Sequence, residues 1–558
     1  MTKIFKTMRS LSVLCLLSGL WVSCAEYNET DNFKAEPDPS FVEPYKDLNA
    51  VKSYIDRATF PNLSLGATLK VVDFNKQELA HSAAVTNFDN VAFGTSLMSG
   101  TIVNQKGVMN FLDMSDLLAH VEEIGYEVYG SPIVANANQA DSWLSTLTAP
   151  IEIPVDKELL KVVNFNEMPV GAYSGTIEKG KASIAKYDDQ NVLQISATPT
   201  PGQVRVIEGF EVEPLAKYTI TFWARADKDA SYSVTFSGRK ITGSGTNGQW
   251  TFKKDKWTKV VVENVQAAEG ETEGYFRIDN SRSAVLNIQK AQIEYEPDNH
   301  RPQTAQELND TINYALNTWC DRLMDINKGR IKLFDLIDEP IDVKAELENG
   351  MYDLKHSTEK IFWQDILGSE NYAPVVSKVA SAAFEKHSGN PADLKFFISE
   401  TGLDDQKTFE SLKYWIGIWD KNGAKIDGIN AKLNLSYSED AATQAENKAT
   451  LDKLLDNLAS TGKLIRLSNF DIKYQNAEAT NVSADKITAE QRQKLSDYYG
   501  YVIKSYMSKI PNDKQAGICK GNLADTNDPV GLWSIDSKSK DWVRNATYKA
   551  FCDALSGK

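Results

Sequence analysis

Two rhythms of apolar and polar residues divide this chain. From about 160 to 297, apolar positions recur at every second residue in short runs: Val192 to Ser196, Lys217 to Trp223, Ser231 to Phe236, Thr258 to Val262 and Val285 to Gln289. Turn formers such as Gly243-Ser244-Gly245-Thr246-Asn247-Gly248 separate them, a pattern that predicts an antiparallel β-sandwich. In the second run Tyr218, Ile220 and Phe222 share one face and Trp223 takes the other. On both flanks short apolar runs alternate with helical periodicity. Thr304-Ala305-Gln306-Glu307 reads as a capping box, opening a helix whose apolar stripe is Leu308, Ile312, Leu316 and Trp319.

Eight strands are expected on the flanks, around Leu65, Val91, Val128, Ile331–Asp338, Leu394–Ser399, Ile426–Leu435, Leu464–Asp471 and Ala516–Cys519. Strands alternating with helices predict an α/β fold, a (β/α)8 TIM barrel interrupted after its third strand by the all-β sandwich. The expected organisation is residues 1–23 as a signal peptide and 24–44 as a flexible tether. The first three barrel strands follow within 45–155, the inserted sandwich occupies 156–299, and the remaining five barrel strands lie within 300–558.

Composition narrows the chemistry. With 61 basic against 76 acidic residues the net charge is −15, which offers nucleic acid no basic footprint and is repelled by anionic lipid. The five histidines are scattered and form no ligand spacing, so neither metal nor other cofactor is expected. Lys3, Lys6 and Arg9 precede an apolar run from Leu11 to Val22 too short to span a bilayer as a mature helix. The run ends in Trp21-Val22-Ser23-Cys24, which resembles a bacterial lipobox, with tryptophan in place of the usual leucine. The resemblance implies lipidation at Cys24. The acidic Glu26, Glu29 and Asp31 resemble the export tag of surface lipoproteins of the Bacteroides group, implying the outer-membrane cell surface. Cys320, Cys519 and Cys552 remain as buried free thiols by expectation.

The strand-end segments resemble family 10 glycoside hydrolases, the retaining xylanases. The family's fourth-strand Trp-Asp-Val-Val-Asn-Glu is recognisable in Phe334-Asp335-Leu336-Ile337-Asp338-Glu339, and its seventh-strand Thr-Glu-Leu-Asp in Ser468-Asn469-Phe470-Asp471. Phe88, Asp89, Gly130, Gly428, Tyr498-Tyr499 and Gly517-Ile518 run as the family does. The sandwich resembles carbohydrate-binding modules of families 4, 9 and 22.

Retaining hydrolysis uses an acid/base and a nucleophile, carboxyls about 5–5.5 Å apart. By this resemblance Glu339 is a relic of the acid/base, and Asn469, an uncharged amide, replaces the nucleophile. The family's third-strand Gly-His-Thr-Leu-Val-Trp-His reads Gly130 to Asn136 without its histidines and tryptophan, the sixth-strand Gln-x-His reads Lys432-Leu433-Asn434, and Lys520 replaces a tryptophan of the eighth strand. Asp471 is expected to share the face of Asn469 in a structural role, and Asp338 to point away from Glu339. Glycan binding is expected to fall to the sandwich, on Trp250 first and then Trp223, Trp257, Tyr275 and Arg277, aromatic faces and polar side chains being what a sugar needs. Trp143, Trp363 and Trp533 are candidates for remote subsites, whereas Trp415 and Trp419, four apart on a helix, read as core.

The expectation is a surface glycan-binding lipoprotein for xylan or a related β-glycan, working beside an outer-membrane glycan transporter and partner lipoproteins. The alternative is a glycoside hydrolase acting on xylan with altered mechanism or specificity and Glu339 as its acid.

Overall fold

The computed structural model describes residues 45–196, 202–243, 248–279, 284–297 and 299–557. The lipobox, Cys24 and the tether lie outside the described residues. The described chain divides into two compact units, one of residues up to 141 together with 316–558, the other of residues 142–315.

The first unit is a closed parallel barrel. Its strands run Leu65–Thr68, Asn90–Ala92, Glu127–Gly130, Leu333–Asp338, Lys395–Thr401, Gly428–Lys432, Leu464–Ser468 and Gln515–Lys520, and these eight fall on the eight segments read from the sequence. Each pairs with the next, the fourth pairs with both third and fifth, and the eighth returns to the first. Parallel strands buried on both faces read as unbroken apolar runs. Phe396, Phe397 and Ile398 are fully buried in the fifth, and Ile465 and Leu467 in the seventh.

The helices form where sequence caps and stripes demand. Asp405 accepts the Thr408 amide at the start of Gln406–Lys421, whose buried face carries Leu412, Trp415 and Trp419. Thr488 and Gln491 form a full capping box on Ala489–Lys509. Thr304 and Glu307 likewise exchange hydrogen bonds, of 2.8 and 3.3 Å, before Ala305–Asn327.

Glycines sit where strands touch. A Cβ on Gly130, at the end of the third strand, would stand 2.2 Å from the Phe334 ring of the fourth. Gly130→Ala is therefore expected to destabilise the protein by about 1–3 kcal/mol through overpacking, read as a lower urea midpoint.

In chain order the second unit falls between the third and fourth barrel strands. A seven-stranded antiparallel sheet runs Thr258–Val265, Lys217–Ala226, Leu286–Glu296, Gln190–Ile195, Ala182–Tyr187 and Gly171–Ala172, with Glu158–Asn164 also on Leu286–Glu296. A six-stranded sheet runs Arg239–Ile241, Ala230–Phe236, Glu273–Asp279, Gln203–Glu211 and Ile177–Lys179, with Trp250–Phe252 on Ala230–Phe236. Tyr218, Ile220 and Phe222 of one sheet and Tyr232, Val234, Phe276 and Ile278 of the other make a single core. Trp223, in register between Lys259 and Lys290, faces away from that core.

Candidate functional site

At the C-terminal ends of the barrel strands lies a cavity of about 450 Å³, lined among others by Tyr129, Asp335, Asp338, Asn430, Lys432, Arg466 and Asn469. In a TIM barrel this is the face on which sites are built.

Asp338 and Glu339 do not point apart. Glu339 adopts a left-handed backbone at φ 46, which ends the strand alternation just where the motif ends. Both carboxylates consequently meet one ammonium. Lys432, on the sixth strand, forms an ion pair with Asp338 and donates to Glu339 Oε1 at 3.1 Å. Lys355 stands 3.8 Å from Glu339 Oε2, and Ser399 donates to Asp338 Oδ1 at 2.6 Å. Burial alone would lower the Lys432 pKa, but Asp338 and then Glu339 outweigh it and hold the lysine above its ordinary value.

Asn469 follows the seventh strand, also left-handed at φ 54, and its amide donates to the Leu433 carbonyl at 3.0 Å. Asp471 does not share its face. It forms an ion pair with the fully buried Lys520 and accepts from Asn522, through the backbone amide at 3.1 Å and the side chain at 2.6 Å. The alternation that would place both residues on one side does not survive the left-handed turn at Asn469. Asp471 is thus committed to holding the chain after the eighth strand.

Two further carboxyls were not legible as site residues. Asp335 accepts from Tyr129 at 2.7 Å and from Asn430 at 3.1 and 3.2 Å. Burial, and then the charge of Asp338, push its pKa up to about 6. Glu400, on the fifth strand, accepts the amides of Ile341 at 3.0 Å and Thr401 at 2.9 Å, and burial pushes its pKa up to about 7. Nothing in a sequence marks Glu400, since its partners are backbone amides. Trp363 and Trp533, like Trp143 of the other unit, are buried at 3, 6 and 6 % exposure.

In the sandwich the five expected glycan residues do not converge. Trp223 belongs to the seven-stranded sheet, half-buried, with Lys259 and Lys290 ammoniums 5.4 and 5.6 Å from its ring. Trp257, 36 % exposed, precedes the strand beside it and meets Tyr187 edge-on, ring centroids 6.2 Å apart. Arg225 covers the Tyr187 ring at 4.0 Å. Tyr187 is thus a further aromatic of this sheet, one that sequence reasoning missed because it stands at a strand end before an ordinary Asp188-Asp189 turn.

Trp250, Tyr275 and Arg277 belong to the six-stranded sheet. Trp250 packs against the core with its Nε1 enclosed and unpartnered. Tyr275 is buried under Arg205, 4.1 Å from its ring, and its hydroxyl accepts the Gly238 amide at 3.0 Å. Arg277 is paired with Glu178 at 2.7 Å and Asp279 at 2.8 Å.

Among the described residues no group of three or more histidines, cysteines, aspartates or glutamates is placed to hold a metal ion. Cys320, Cys519 and Cys552 are buried and free.

Solved structures share this fold at low identity. A family 10 endoxylanase from a sugarcane soil metagenome is 9 % identical with a TM-score of 0.51, covering 91 % of this chain and 100 % of its own. Xylanase B from Clostridium stercorarium F9 is 10 % identical at 0.50, over 91 and 100 %. A xylanase from Paenibacillus barcinonensis, complexed with a conduramine derivative, is 9 % identical at 0.50, over 91 and 99 %. No curated protein matches the chain. Residues 297–528, which span the fourth to eighth barrel strands, match the family model of glycosyl hydrolase family 10.

Proposed function

We propose that this protein binds xylan or a related β-glycan without cutting it, as a lipoprotein held at the outer-membrane surface by Cys24. The observation that carries the reading is the amide of Asn469 at the barrel mouth. At the position where the resembled motif has its nucleophile stands an amide already spent on the Leu433 carbonyl. A neutral amide neither attacks an anomeric carbon nor stabilises an oxocarbenium ion. Glu339, at the position of the resembled acid/base, is ion-paired with Lys432 and faced by Lys355, so both its carboxylate oxygens are already engaged by ammoniums. Hydrolysis through Glu339 is therefore the weaker reading.

Sugar contact falls to the seven-stranded sheet. Trp223 offers a half-buried indole between two lysines, and Trp257 is the exposed tryptophan among the sandwich's described residues. Aromatic faces against pyranose C–H surfaces, flanked by donors for hydroxyls, are the chemistry of glycan recognition. The family 10 domain and the xylanases that share the fold support xylan as the ligand class. The lipobox-like segment supports the anchor, and a surface position supports cooperation with a transporter and partner lipoproteins.

The test is affinity electrophoresis in xylan-containing gels beside a reducing-sugar assay. Retardation without sugar release is expected, and Trp223→Ala and Trp257→Ala should each weaken retention about 10-fold, equivalent to about 1.4 kcal/mol. Unretarded migration, or xylan shortened at enzyme-like rates, overturns the reading.

A further inference from the structure

Among the described residues three arginines are almost wholly buried, and two of them have a carboxylate partner. Arg492 is paired with Asp525 at 2.6 Å, and Arg225 with Asp255. Arg466, on the seventh barrel strand and 4 % exposed, is different. Among the described residues no carboxylate forms an ion pair with it, and its Nη2 has no hydrogen-bond partner. Its guanidinium lies 3.8 Å from the Tyr129 ring centroid and beside the Cys519 thiol, and it lines the barrel-mouth cavity.

A guanidinium taken out of water without a counter-anion is strongly unfavourable. Tyr129 offsets part of that through its π face. Asp335 acts on Arg466 only through space, because its oxygens are engaged by Tyr129 and Asn430. The other cavity carboxylate, Asp338, is neutralised by Lys432. Asn430 lies in register with Arg466 on the neighbouring strand, and its Oδ1 is also buried without a partner. The rim of the cavity carries the neutral Asn469. A cationic donor, Arg466 Nη2, and a neutral acceptor, Asn430 Oδ1, thus lack partners on two neighbouring residues that both line the cavity. Its volume, about 450 Å³, falls in the usual range for a small-molecule site.

We propose that this cavity takes one acidic sugar unit, a uronate, whose carboxylate supplies the missing anion at Arg466 while a hydroxyl donates to Asn430 Oδ1. Arginine suits this role because its planar fork matches a carboxylate with two parallel hydrogen bonds. The site rests on the glycan-binding function proposed for the chain for its ligand class, but it uses the barrel and none of the sandwich aromatics.

Isothermal titration of the full chain with sodium D-glucuronate, D-xylose and sodium sulfate at matched ionic strength tests the site. Glucuronate is expected to bind, with xylose and sulfate at least 10-fold weaker. Arg466→Gln should reduce glucuronate affinity at least 10-fold. Because that variant alters the barrel interior, Asn469→Asp provides a second arm, placing a negative charge at the rim with Arg466 intact, and it too should weaken glucuronate severalfold. No glucuronate heat at millimolar concentration, equal binding of xylose or sulfate, or indifference to Asn469→Asp overturns the proposal. Glucuronate binding without xylan retardation would keep this site and remove the sandwich reading. The reverse result would remove this site alone.

Discussion

Asp471→Asn lowers the unfolding free energy by about 3–5 kcal/mol, the cost of leaving a buried ammonium without its partner. Lys520 has no exposed side-chain surface, and Asp471 is the carboxylate paired with it. Burial already holds the Lys520 pKa below its ordinary value, against the pull of Asp471. Removing that pull leaves a lysine that must either stay charged in a poor solvent or shed its proton on folding. Asp471→Asn combined with Lys520→Met should recover most of the loss, since the buried charge then vanishes with its partner. Urea unfolding of the two variants is the measurement. Xylan retention, proposed for the sandwich sheet, should survive in both, because Asp471 belongs to the barrel unit. Equal stability of Asp471→Asn and the parent would show that the pair is not what secures the eighth strand.

The second large effect concerns pH. Glu400 moves from an ordinary 4.5 to about 7 on folding, through burial first and the Glu339 charge as a lesser push, with two backbone amides and Lys355 opposing. A raised carboxyl means that the folded chain binds a proton more tightly than the unfolded one. The associated stability is complete below pH 4.5 and is lost as pH rises through about 7. That shift corresponds to about 3 kcal/mol between pH 4.5 and 8, at about 1.4 kcal/mol per unit. Asp335, raised to about 6, adds a loss of the same sign over a lower window. Unfolding midpoints in urea measured from pH 4.5 to 8 should therefore decline, and Glu400→Gln should flatten the upper part of the curve. A midpoint that holds level across this range in the parent protein would show that Glu400 does not carry the effect.

The barrel was legible because each of its strands is a short apolar run between helices, and period alone separates such runs from the alternating strands of the sandwich. The capping box at Thr304 and Glu307 and the buried pair Trp415 and Trp419 follow from spacing in the same way. The site was legible only as residue types at motif positions. Which way those residues point depends on two backbone turns, at Glu339 and Asn469, where side-chain alternation stops applying. Hence Asp338 and Glu339 meet on Lys432 although neighbours on a strand should diverge, and Asp471 turns to Lys520 instead of accompanying Asn469. Arg466 and Glu400 carry no sequence signal of their own, and Lys432 stands out only as a departure from the resembled Gln-x-His motif. Their significance lies in what is or is not beside them in space, which no local pattern records. The tryptophans illustrate the same limit: Trp223 and Trp250 look alike in sequence, yet one flanks lysines on an outer face and the other packs against the core.

The left-handed turn at Asn469 limits which side chains that position accepts without cost. A left-handed backbone strains most side chains, and asparagine tolerates it better than almost any residue except glycine. Asparagine at 469 therefore carries less backbone strain than a longer side chain such as glutamate would carry there. Glu339 takes the same handedness without that relief, which makes it the more strained of the two turn residues that follow these barrel strands.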